Sequence, residues 1–560
     1  MTFRSPIFQL SSEYIDRTAA EDPLFSINER MSRPDQLADY SPEANDLFRA
    51  RLNEFLTRLE EPAYAPTDDI DRIAALVMKD RWATFIRAID SGERSRTFSV
   101  LWSPVSALRQ AFEMMAQESS EEVDHIVRYL ALVGSALDTW RRTLVLVASR
   151  GHLPSRRHVV GVGEQALTYA DGGFNELVAR LEAAFGARDD LRKAAAVAQE
   201  AFGAIGRELL DVYAPQTTAS DYVGAERYAL WAHSYTGRTI DYKELYAWGW
   251  EDLKRINARM REIGAVVAPE ATTLKEIAGS LDKNPKYLIH GTDELLRVLK
   301  KLTADATDAL DGVHFDIDPS IRFCDVRLAP AGSASAAYYY GPSEDLSRPG
   351  TTWFPTMGAD TFEIWRHVST WYHEGIPGHH LESAGSLVNA DRQSRFHRIA
   401  GWMSGYGEGW ALYAERLMDE LGFLSDPGNE MGYLVGQALR AARIVVDIGM
   451  HLQLAAPSDL GELPGLGDCS NKVWTPEMAV GLLEGRALMN SVESRSEVER
   501  YLGNPGQAIS YKVGERCWLE AREAARGRHG ASFDLKAFHR YGLDLGPMGL
   551  DLFLAEMERF

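Results

Sequence analysis

Amphipathic helical periodicity, repeated over most of the chain with little strand-like alternation, is the feature that most restricts the fold. In residues 44–60, Leu47, Leu52, Phe55 and Leu59 are expected on one face with charges opposite. Comparable patterns recur at 68–91, 104–117, 121–150, 173–186, 189–213 and 242–265. They return at 361–375, 379–389, 405–421, 430–454, 475–501 and 505–526. The best strand candidate is 312–341, where Phe315, Ile317, Ile321, Phe323 and Val326 sit among polar neighbours bounded by Pro and Gly. The expected fold is mainly α, a large helical body with a small β-sheet beside the candidate site.

At 560 residues the chain has length for about two to four average domains. No Pro/Ser/Gly tract, charge block or fixed-period repeat divides it, however. We read 1–310 as an N-terminal helical region and 311–560 as the region that carries the chemistry, the two forming one continuous fold with a central cleft. The formal charge of −21 argues against nucleic acid or an anionic membrane as the main partner, since both need a basic surface. Cys324, Cys469 and Cys517 are odd in number and far apart, which fits a reducing cytoplasm. The N-terminal residues carry no apolar run followed by a cleavage site, and the longest apolar stretches (129–140 and 143–150) are too short to span a bilayer. The expectation is a soluble cytoplasmic protein.

The chemistry concentrates at His373-Glu374-Gly375-Ile376-Pro377-Gly378-His379-His380. Zinc hydrolases pair a ligating histidine with an adjacent glutamate, about 100° round the helix, that serves as general base toward the activated water. The usual spacing is HExxH, because imidazoles at i and i+4 share a helix face. Here the next histidines fall at i+6 and i+7, and on an unbroken helix neither shares an ion with His373. Pro377-Gly378 is expected to break or bulge the helix and return one of them to the i+4 place. We favour His379, because Gly378-His379-His380-Leu381 resembles the G-H-A-L ending of many HExxH helices. His380 is then left near the ligands or facing substrate. The plainer reading is a helix–turn–helix joint whose histidines cap helix ends.

In 405–421, Glu408, Leu412 and Glu415 lie along one face beside Trp410 and Tyr413. An oxygen ligand from a separate helix completes a three-residue catalytic zinc site. Gly407-Glu408-Gly409-Trp410-Ala411 resembles the N-E-G-F-A segment of aminopeptidase N-like zinc peptidases, which by that resemblance makes Glu408 the third ligand. Glu415, two turns on, can orient a ligand histidine. Arg443, Asp447 and His451 follow at i, i+4 and i+8, either as an internal stabilising set or as site residues. Tyr511 is a candidate oxyanion donor or a core tyrosine, with His451 the alternative donor. The segment 338–350 combines aromatics, including Tyr339, with Arg348. It either lines a cleft and pairs with a carboxylate or simply connects elements.

HEGIPGHHL, GEGWALYAERL, RAARIVVDIGMH and NPGQAISYKVGE form an ordered series over about 150 residues. Together they resemble the bacterial family known as domain of unknown function 885, similar to the HExxH-clan zinc metallopeptidases and, in fold, to carboxypeptidase Taq. The resemblance implies a helical zinc-peptidase-like body with a deep cleft. It also implies Zn2+ held by His373, His379 and Glu408, and hydrolysis with Glu374 as base. The implied substrate is a short peptide entering by its end, with Arg348 or Arg443 gripping a carboxylate. The competing readings are a zinc amidase on a non-peptide amide and a non-catalytic peptide-binding protein with a degenerate metal site.

Overall fold

Leu52, Phe55 and Leu59 are buried along helix Pro42–Leu59, whereas Leu47 is 69% exposed. At about 100° per residue Leu47 lies some 80–140° from the other three, outside the stripe that meets the core. A computed structural model of the chain describes residues 3–29, 31, 36–218, 220–329 and 336–560. It divides into two units, Met1–Val223 and Gly224–Phe560.

The described residues of the first unit form helices and connecting segments, with one isolated bridge between Ser155 and Thr218. Its longest members are Asp69–Asp90, Ser120–Ser149 and Asp189–Glu208. Ser119 opens one of them with a capping box, its hydroxyl accepting from the Glu122 backbone while the Glu122 carboxylate returns to the Ser119 N–H. A core of leucine, valine, isoleucine and phenylalanine, with Trp140 among them, closes the unit.

The second unit holds every candidate site residue. Helix Tyr242–Val267 packs on helix Pro427–His451, and helix Ser404–Glu420 packs on helix Ser510–His529. The latter pair meets through glycines, since a Cβ on Gly409 would lie 2.6 Å from the Gly514 carbonyl carbon. Bare backbone at that crossing brings the helix of Glu408 against the helix of Tyr511.

Strand Asp325–Leu328 runs parallel to Thr351–Phe354, which pairs antiparallel with Tyr338–Tyr340. The expected strand region 312–341 is therefore only partly strand. A 3-10 turn occupies Pro319–Ile321, Phe323 is 65% exposed, and residues 330–335 lie outside the described ones. The helix expected over 361–375 starts only at Val368. Thr361–Glu363 is instead a strand paired with Leu288–His290, because Phe362 is buried against Ile289, Phe354 and Trp371. Long-range pairing won over local periodicity there. Likewise 475–501 divides into helices Pro476–Arg486 and Ser491–Gly503. No helix among the described residues is long and apolar enough to cross a membrane.

Candidate metal centre

Helix Val368–Glu374 carries His373 and is anchored by Trp371, whose indole N–H donates to Leu299 O at 3.1 Å and Thr303 Oγ1 at 3.0 Å. The helix stops because Gly375 adopts φ −98°, ψ −128°, and Gly378 ends the interruption with φ −78°, ψ −128°. Residues 375–378, with a cis Ile376–Pro377 bond, leave the helical path, and helix His379–Val388 resumes after them. The turn is closed by Gly378 N–H donating to Tyr372 O at 3.0 Å and His380 N–H to Gly375 O at 3.1 Å. Trp410 Nε1 donates to Pro377 O at 2.8 Å, tying the break to helix Ser404–Glu420.

The break has the effect its Pro-Gly predicts, bringing His379 beside His373 with their ring centroids 4.8 Å apart. His373 Nε2 lies 3.3 Å and His379 Nε2 3.4 Å from Glu408 Oε2. Two donors of a tetrahedral zinc with bonds of about 2.0 Å stand about 3.3 Å apart. Glu408 Oε2 is buried and has no hydrogen-bond donor among the described residues. Three ligand atoms facing one another across such a gap, one of them an orphaned carboxylate oxygen, fit a divalent cation.

Glu408 and Glu415, seven residues apart on one helix face, bracket the same imidazole. Glu415 Oε1 accepts from His373 Nδ1–H at 2.9 Å, which leaves Nε2 as the ligating nitrogen. Ser369, one turn before His373, donates its hydroxyl to the other Glu415 oxygen. Burial alone would lower His373, but the flanking Glu408 and Glu415 carboxylates outweigh it and raise it to about 9. Burial likewise opposes the charged form of Glu408, yet the two imidazoles hold it well below the ordinary range. A cation held by these three groups would compete with the protons that their mutual charges favour. Glu374 is 8% exposed, is raised by burial, and has no hydrogen-bond partner among the described residues.

His380 faces elsewhere. Its Nε2 donates to Ile321 O at 2.7 Å and its Nδ1 accepts from Tyr339 OH at 2.9 Å, while burial lowers it to about 4. Tyr339 belongs to strand Tyr338–Tyr340 and not to a loop, and Arg348 donates to Gly341 O at 3.2 Å. Tyr511 stacks at 17° on His373, with centroids 6.4 Å apart. Arg443 is committed to Glu497 at 2.7 Å and to Tyr501 OH at 3.1 Å, so a carboxylate ligand would have to compete for it.

Asp447 and His451 are fully buried, 3.6 Å apart. His451 Nε2 donates to Tyr501 O at 3.1 Å, and Asp447 Oδ2 accepts from Tyr228 OH at 2.8 Å and Gly506 N–H at 3.0 Å. This set ties helix Pro427–His451 to its neighbours. Burial pushes Asp447 up to about 7, so the folded protein retains a proton that the unfolded chain loses near its ordinary 3.8. Its contribution to stability is full below the unfolded value and is lost as pH rises to about 7, a span worth about 4 kcal/mol at most. Asp447→Asn keeps an oxygen for Tyr228 and Gly506 and should flatten the fall of the thermal midpoint across that window. An unchanged pH slope would refute this assignment.

Sequence reasoning missed Ser369, Arg440 and Glu382. Ser369 precedes His373 by four residues, a spacing legible in the helix itself. Arg440 Nη2 lies 3.8 Å from Glu415 Oε1, and its one signal in the sequence was a place one turn before Arg443 on the same helix. Glu382, three residues after His379, is 4% exposed with Oε2 unpartnered, and burial raises it to about 7.

A helical body carrying a His–His–Glu cluster and, next to it in sequence, the buried carboxyl of Glu374 is the class this architecture defines. The chain belongs to the family of bacterial proteins of unknown function DUF885, whose model matches residues 26–557. No curated protein matches it. Two solved structures share the fold, and both are described as a "putative lipoprotein". That from Colwellia psychrerythraea has 21% identity and a TM-score of 0.81, over 100% of this chain and 99% of its own. That from Shewanella oneidensis, its function stated as unknown, has 18% identity and a TM-score of 0.73, over 99% of this chain and 100% of its own.

Proposed function

We propose that the protein is a zinc-dependent hydrolase of short peptides or related amides. One observation carries the reading: two imidazole nitrogens stand 3.3 and 3.4 Å from a carboxylate oxygen with no donor among the described residues, next in sequence to the buried Glu374. Zinc held by His373, His379 and Glu408 supplies Lewis acidity that polarises a carbonyl and makes water nucleophilic near neutral pH. Glu415 holds the His373 tautomer and orientation. Glu374 takes the proton from the attacking water and returns it to the leaving nitrogen as the C–N bond breaks. Tyr511, kept neutral by burial, retains a proton to donate toward the oxyanion.

Protein purified without added metal should carry about one equivalent of zinc, and chelation should lower its thermal midpoint. Less than about half an equivalent, with a midpoint indifferent to chelator, sinks the reading. A substrate screen separates peptides from non-peptide amides, which use the same residues. We keep the cytoplasm as compartment on its three free cysteines, against the lipoprotein description of the two relatives. Cell fractionation decides it.

A further inference from the structure

Glu415 joins three helices behind the His373 ring. It has no solvent exposure, and a carboxylate so buried is costly unless its oxygens are partnered. Oε1 accepts His373 Nδ1–H at 2.9 Å, and Oε2 accepts the Ser369 hydroxyl from one turn earlier on the same short helix. The cation beside it is Arg440, from helix Pro427–His451, with Nη2 3.8 Å from Oε1.

Arg440 reaches that place because its own helix is bare on the facing side. Gly432, Gly436 and Arg440 follow at one-turn spacing and share a face. A Cβ on Gly432 would collide with the Trp365 carbonyl oxygen. One on Gly436 would lie 2.9 Å from Arg440 Nη1 and 3.6 Å from Glu415 Oε2. The guanidinium is held in the gap those glycines leave. Nη1 donates to Gly436 O at 3.2 Å, Cζ lies 5.9 Å from the Tyr511 ring centroid, and the residue is 9% exposed. With Ser369 on one oxygen and Arg440 beside the other, the carboxylate is restrained in rotation as well as in position. Oε1 therefore stays aimed at Nδ1.

We infer that Arg440 is a positioning residue of the metal centre, which fixes His373 through Glu415 and so sets the affinity for the cation. Arg440 makes no hydrogen bond to His373, His379 or Glu408 among the described residues, so its influence passes through the intervening carboxylate. The inference rests on the zinc reading of the site and adds a residue on a third helix to what controls it. Groups that orient ligands from behind change metal affinity or activity by about 10- to 100-fold. The plainer role for Arg440 is an ion pair that only ties two helices together. The two roles differ in what they do to zinc.

The test measures zinc affinity of the full chain by competition with a chromogenic chelator, together with the thermal midpoint of the metal-free protein. Arg440→Gln should weaken zinc binding about 10- to 100-fold, and Arg440→Lys should recover part of the loss. Glu415→Gln should weaken binding as well, and adding Arg440→Gln to it should change little, since one effect passes through the other. A merely structural ion pair would lower the metal-free midpoint and leave zinc affinity where it was. Unchanged affinity in Arg440→Gln, or losses that add in the double variant, overturns the inference and leaves the hydrolase reading standing. Should Arg440→Gln fail to fold, Arg440→Lys decides: weaker zinc binding at an unchanged metal-free midpoint supports the inference, and unchanged binding overturns it. A native chain that binds no zinc overturns the inference and the hydrolase reading together.

Discussion

Glu374→Gln should leave zinc bound and reduce turnover by about 10²- to 10⁴-fold, the range general acid–base catalysis contributes. The expectation follows from position. Glu374 is adjacent to His373 but outside the His373–His379–Glu408 cluster, so an isosteric amide leaves the ligand atoms untouched. Its carboxyl has no hydrogen-bond partner among the described residues, so the substitution breaks no network there. The glutamine cannot accept and return the proton. Zinc stoichiometry and kcat measured on one preparation check both halves, and retained turnover removes Glu374 from its role.

Gly378→Ala should abolish the metal site from outside it. A Cβ at this position would lie 2.5 Å from the Tyr372 carbonyl oxygen and closer still to that of His373. Both obstacles are backbone, which cannot swing aside as a side chain does. Overpacking in a filled interior costs about 1–3 kcal/mol and occasionally more, and here relief requires His373 and His379 to separate. The variant should lose zinc and melt several degrees lower, at about 2–4 °C per kcal/mol for a domain of this size. Full zinc occupancy at an unchanged midpoint would show that the break tolerates a side chain.

The His–His–Glu cluster was legible because its information is local. Histidine beside glutamate, a Pro-Gly interruption, and two glutamates two turns apart on a helix each constrain geometry over a few residues. The interruption even ranks the two following histidines, since His379 meets Glu408 while His380 turns to Ile321 and Tyr339. What escaped depended on distant partners. Phe362 fits a helical stripe by spacing and is nonetheless in a strand, because Ile289 lies alongside it across more than 70 positions of sequence. Arg443 stood out through its one-turn spacing from Asp447 and His451, but Glu497, on another helix, claims it. The less conspicuous Arg440, three residues earlier, is the one that lies beside Glu415, at 3.8 Å.

Placing Glu408 and Glu415 on a single helix has an evolutionary corollary. The rise and twist between them are set by the α-helix, so the separation of ligand and orienting carboxylate is quantised in whole residues. One inserted or deleted residue between them turns either carboxylate about 100° away from His373, and no side-chain rotation restores both contacts. The six intervening positions are thus free to change identity, within packing limits, but not number. Divergence in this protein's lineage should leave that interval at constant length while length variation accumulates in the connections between helices.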